Sequence, residues 1–249
     1  GADGRARGYN QGQELSAVQI GVHDEIYQAE QPVLVGACAH STYCYLLSQE
    51  EQCDADTWAV RLWELQDRGL APEATVADGG AALRAGQQVA LEGVPCRGDV
   101  FHILYEWGHV LRYLETLAYA AVTKRLDLER QLATPGKRRD QQKPSLQVRL
   151  WQARAAEAKA VALYDDLALL RRWLGEDILC VAGPNYATRR SLFDFLLAEV
   201  QARAPLGPPG VKEVCQSLLF QRETLLAFVQ PLDEGLAELA ARTHVPEFL

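Results

Sequence analysis

The chain contains no methionine among its 249 residues and opens at Gly1, which reads as an internal piece of a longer product. No stretch approaches the roughly 18 uncharged apolar residues of a membrane span. Nor does a charged-then-apolar opening resemble a secretion signal, so no membrane partner is expected. The six cysteines (Cys38, Cys44, Cys53, Cys96, Cys180, Cys215) form no CxxC pair. Buried reduced thiols and a cytoplasmic setting are the expectation. Cys96 and His102 alone are too few ligands for a zinc site. Positive charge is also short. With 25 Lys and Arg against 33 Asp and Glu, the net charge of −8 argues against a chain that coats nucleic acid indiscriminately.

What is present is enough apolar residue, 48%, for one large core or a core with an appended subdomain. Three acidic segments stand out: Val18–Glu25, Ala74–Gly80 and Gly98–His102. Each ends or follows an apolar run, the pattern of a strand carrying a carboxylate to its end. Val18, Ile20, Val22, Asp24 and Ile26 share one face at a period of two, so Asp24 is expected to point with the apolar residues. Pro32–Ala39 and Thr42–Leu47 read as two further strands, joined by a tight turn at His40-Ser41 and antiparallel to the first.

Asp54 or Asp56 then caps a helix ended by Gly69. A strand over 74–77 leads to Asp78, Gly79-Gly80 turns into a second helix through Leu91, and 94–103 returns as a strand. The order β-β-β-α-β-α-β predicts an α/β fold: an RNase H-like mixed sheet with flanking helices. Three segments are expected: a flexible lead-in (1–13), the core (14–105) and a mostly α-helical insertion domain (106–249). The insertion should begin with a long αα-hairpin, one helix to about 133 and another from Ser145 to about Glu176. Shorter helices follow near 188–203, 211–228 and 233–243, the last two separated by Pro231.

A lone Asp at a strand end is ordinarily a turn or cap residue, and Asp-Gly-Gly is common turn chemistry. Gly79-Gly80 lacks the spacing of a phosphate-cradling loop. Together, however, Asp24 and Asp78 lie on neighbouring strands in this topology. Two carboxylates so placed repel unless a cation sits between them. The pair is therefore the candidate catalytic and metal site. Asp99 and His102 support it, and Mg²⁺ or Mn²⁺ in a two-metal arrangement is the expected cofactor.

His23-Asp24-Glu25-Ile-Tyr with Gln31–Gly36 resembles the first catalytic strand region of DDE-type transposases of bacterial insertion sequences. Val76-Ala-Asp78-Gly-Gly with Leu83–Gly86 resembles their second, and Asp99-Val-Phe-His102 their following Cys-or-Asp, two residues, His signature. The resemblance covers about residues 14–105. It implies DNA cleavage and strand transfer, with transposon ends and target DNA as partners. It also implies a third acid, a Glu on a helix after the insertion. Glu199, Glu213 and Glu223 lack that setting, so the Glu is expected beyond Leu249. A catalytically inactive DNA-binding or scaffolding derivative and an RNase H-like nuclease are the alternatives. Lys137, Arg138, Arg139 and Lys143, in a basic stretch between the two long helices, are the candidate DNA contacts, with a solvated loop as the plainer reading. The helices beyond residue 103 are assigned to DNA contact and to assembly of copies of the chain.

Overall fold

The computed structural model describes residues 14–134 and 143–243. Among these, two compact units form: the residues up to Val100 together with those from Phe220, and the residues between Phe101 and Leu219. The first holds strands β1 (Ile20–Gln28), β2 (Gln31–Cys38), β3 (Cys44–Gln49), β4 (Ala74–Ala77) and β5 (Cys96–Gly98), with helices α1 (Ala55–Gln66) and α2 (Ala81–Ala90). The sheet order is β3-β2-β1-β4-β5. β1, β2 and β3 are antiparallel neighbours, whereas β1, β4 and β5 run parallel. This α/β arrangement is compatible with an RNase H-like core followed by a helical region.

Local chemistry explains the turns. Ala29 and Glu30 both take positive φ, 50° and 67°, the two-residue hairpin whose twist matches its strands. Parallel β1 and β4 need a crossover, which α1 supplies. Asp54 caps α1 by accepting from Thr57 N at 2.8 Å. The core joins Leu34, Tyr45 and Leu46 of the strands to Trp58, Leu62 and Leu83 of α1 and α2.

Two expectations are corrected. The strand over 94–103 shrinks to Cys96–Gly98, and Val100–His102 open helix α3 (Val100–Ala133) instead. The ladder ends where Asp99 N donates to Ala77 O at 2.9 Å, and an Asp just before a helix suits its N-terminus. Nor does Asp24 end its strand: β1 runs on to Gln28, and the face that Asp24 shares with Val22 is half-buried, while Gly21 and His23 are buried. The aromatic side chains of Tyr45 and Trp58 gather on the His23 side, and hydrogen bonds there make burial of a polar ring tolerable.

The second unit begins with α3, which buries Ile103, Trp107, Leu114 and Ala118 at helical spacing. α4 (Lys143–Trp173) pairs with it. Leu128, Leu146 and Ala153 form a small apolar cluster flanked by ion pairs of Arg125 with Glu129 and Glu157, and of Arg154 with Glu129. α4 ends in a wider turn over Leu174–Ile178, where Leu179 N reaches Leu174 O at 2.8 Å. α5 (Tyr186–Arg203) starts from an Asn185 cap on Thr188 N at 3.0 Å. The buried Arg189 fastens the preceding loop, donating to the carbonyls of Ile178 (2.8 Å), Pro184 (2.6 Å), Val181 (3.2 Å) and Cys180.

α6 (Pro209–Leu226) ends in the first unit, followed there by α7 (Val229–Thr243). Pro231 lies inside the first turn of α7 rather than before it, where its missing N–H breaks no helical bond. Lys137, Arg138 and Arg139 lie outside the described residues, and Lys143 opens α4. Among the described residues no helix is long and apolar enough to cross a membrane.

Candidate metal centre

The register of the parallel strands builds the site. His23 of β1 stands opposite Ala77 of β4, and Ala77 stands opposite Gly98 of β5. One residue further, the chain places Asp24 within β1, just where its parallel pairing with β4 stops, and Asp78 and Asp99 just past the carboxyl ends of β4 and β5. Ligands in open α/β sheets ordinarily bind outside those ends. Ligand atoms of Asp24, Asp78 and His102 all lie within 4.8 Å of one another, and all three side chains are half-buried. His102 reaches this end of the sheet through the chain itself, because α3 starts one residue after Asp99. Asp99 is outside that group, as is Cys96.

Each carboxylate is oriented by backbone. Asp24 Oδ1 accepts from Glu25 N at 2.8 Å, and Asp78 Oδ1 accepts from Gly80 N at 2.9 Å. Arg84 of α2 donates to the carbonyl oxygens of Asp78 (2.7 Å) and Ala77 (3.0 Å), pinning the end of β4. The two glycines serve close approach. A Cβ on Gly79 would meet the Gln221 amide at 2.6 Å, and one on Gly80 would meet Asp78 Oδ1 at 2.9 Å. Gln221 of α6, only 5% exposed, thus flanks the Asp78 turn, and no sequence signal marks it.

Two carboxylates this close, with an imidazole, form a donor set that fits a divalent cation. Carboxylate oxygens suit Mg²⁺ or Mn²⁺, and imidazole shifts the preference towards Mn²⁺ and other borderline ions. Among the described residues no Glu joins the group. Glu199 is paired with Arg203 at 2.6 Å and Glu223 with Arg222 at 2.7 Å.

Directly behind Asp24, on the opposite face of β1, lies a buried polar chain that the sequence did not announce. Thr75 Oγ1 donates to Gln87 Oε1 at 3.1 Å, which leaves Gln87 Nε2 to donate to His23 Nδ1. The ring proton therefore sits on Nε2 and is donated to Tyr45 Oη at 2.7 Å. Burial lowers the His23 pKa to about 4, so the ring is neutral at pH 7. Trp58 Nε1 also donates to Glu25 Oε1 at 2.7 Å. These bonds tie β1, β3, β4, α1 and α2 together behind the carboxylates.

An apolar cavity of about 460 Å³ lies elsewhere, lined by Trp173, Phe195, Leu196 and neighbours that all belong to the second unit. It contains none of the clustered metal-ligating groups.

No known protein family and no curated protein matches the sequence, so the resemblance to insertion-sequence transposases rests on its motifs alone. One solved structure, titled Drosophila P element transposase strand transfer complex, is similar across 89% of this chain and 68% of its own, at 12% identity and a TM-score of 0.41. A likeness of that degree carries no argument about function, and the chemistry is judged from this chain's own side chains.

Proposed function

We propose that this chain is the RNase H-like core and helical insertion of a DDE-type transposase, acting on DNA by metal-dependent phosphoryl transfer. The observation that carries the reading is the Asp24–Asp78 pair, brought together where the parallel pairing of β1 with β4 ends. In this role Asp24 and Asp78 would hold Mg²⁺ or Mn²⁺, with His102 as a supporting ligand. Such ions would supply charge stabilisation at the phosphate and activation of water. The chain's own part is positioning. The Glu25 and Gly80 amides fix the two carboxylates, and Arg84 fixes the strand end that carries Asp78.

A second reading, a non-catalytic DNA-binding derivative, is favoured by one observation: only two carboxylates enter the group among the described residues. Calorimetric titration with Mn²⁺ tests the shared premise. The parent should give binding heat, and the Asp24→Asn, Asp78→Asn double variant should bind at least about a hundredfold more weakly. Equal heats from both proteins would sink the metal assignment. Plasmid nicking in Mn²⁺, absent from the double variant, separates the catalyst from the binding-only derivative.

A further inference from the structure

α3 carries an exposed ridge that the metal centre does not use. Phe101, Tyr105, His109, Arg112, Thr116, Tyr119 and Thr123 follow one another at steps of three or four residues and are all exposed. Such steps place them on one helix face. Tyr105 and Tyr119 are 49% and 67% exposed, far above what a packed helix leaves on large aromatics. The rings run as a series: Phe101 stacks on Tyr105 at 5.7 Å and 20°, and Tyr105 meets His109 edge-on at 4.5 Å and 80°. The hydroxyls of Thr116 and Thr123 turn back to the carbonyls of Arg112 and Tyr119.

Three features decide what covers this ridge. Its step resembles a coiled-coil seam, but Tyr, His, Arg and Thr occupy the positions that a helix partner needs apolar. The seven ridge positions carry no acid and one cation, Arg112, with Lys124, Glu106 and Glu115 on the flanks. Arg112 is the group on the ridge that suits a phosphate. Finally, the ring centroids of Phe101, Tyr105 and His109 stand 5.7 and 4.5 Å apart, wider than the 3.4 Å rise of a stacked duplex strand. Such spacing accepts bases that have come apart.

We propose that this ridge of α3 binds an unpaired DNA strand, with bases stacked on Tyr105, His109 and Tyr119 and a phosphate on Arg112. That the strand is DNA rests on the proposed function, whereas the stacking site stands on the ridge alone. The test is fluorescence anisotropy of the whole chain with a labelled oligothymidylate of about 20 nucleotides, long enough to span the ridge. All titrations are run in EDTA, so failure of the metal assignment leaves their outcome untouched.

Tyr105→Ala with Tyr119→Ala should weaken binding at least about thirtyfold, while Tyr105→Phe with Tyr119→Phe stays within about threefold of the parent. Arg112→Gln should lower the salt slope by about one. Duplex DNA of the same length should bind more weakly than the single strand. Failure of the parent to bind the oligonucleotide, or equal binding by the parent and the double alanine variant, would overturn the proposal. So would sedimentation showing that the alanine pair dissociates a parent dimer while leaving DNA affinity unchanged, which would make the ridge an interface between copies.

Discussion

One peptide bond separates His23 from Asp24, yet the two side chains work on opposite faces of β1 under opposite physical rules. On the His23 face the ring is 1% exposed, neutral and hydrogen-bonded through both nitrogens. On the Asp24 face two half-buried carboxylates are held within 4.8 Å of each other, an arrangement that costs energy until a cation joins it. One face stores stability and the other stores a binding opportunity. The pleat of a strand allows both within two residues, because successive side chains leave on opposite sides. Among the described residues, no buried side-chain nitrogen or oxygen lacks a hydrogen-bond partner, so the polar His23 face is satisfied as it stands.

Breaking the buried face should have the largest effect. His23→Leu removes the partner of both Tyr45 Oη and Gln87 Nε2, and each orphaned group costs roughly 1–3 kcal/mol. Urea unfolding at pH 7 should register a loss of about 4 kcal/mol, with the far-UV spectrum of the folded state unchanged. A loss below about 1 kcal/mol would mean that the polar chain contributes little.

The same face should respond to pH. Folding lowers the His23 pKa from its ordinary 6.5 to about 4, so between those values the unfolded chain binds more protons than the native one. Stability therefore rises with pH across that window and is lost on acidification from about 6.5 towards 4, by at most ~3 kcal/mol. Glu50, held below the usual carboxylate range chiefly by its bond from Arg61, loses its contribution at the acid end as well. Comparing the parent with His23→Gln subtracts that shared part. The variant should show the flatter profile between pH 6.5 and 4, and parallel profiles would remove His23 as the cause.

The Asp24 face should respond most weakly and with the opposite sign. Without metal, Asp78→Asn relieves repulsion from Asp24 while its side-chain oxygen still accepts from Gly80 N. Thermal unfolding in EDTA should show a gain on the order of 1 kcal/mol at low salt. In excess Mn²⁺ the ranking should invert, because only the parent gains by binding the ion. A variant less stable than the parent in EDTA would show that the two carboxylates do not repel there.

Much of this was legible in the residues. A period-two run through Asp24 marked β1, an apolar run before Asp78 marked β4, the Asp54 cap marked α1, and three- and four-residue spacing marked α3 and α4. These signals are local, and local sterics and hydrogen bonding are enough to produce them. The separate roles of neighbouring residues were less accessible. His23 lay within a quoted motif, but nothing near it in the chain names Tyr45 and Gln87 as its partners.

By itself, the sequence determined most of the strands and helices, and that Asp24 lies on the first strand while Asp78 follows the fourth. Only the tertiary structure decided that β1 lies beside β4 in a register that sets Asp24 next to Asp78. It also decided that α1 and α2 cover the His23 face and that α6 lays Gln221 and Leu225 against Gly79 and Gly98. The physical reason is that alternation along a strand specifies two faces but not which is covered. Covering is chosen by packing among residues far apart in the chain, whose contacts no local period records.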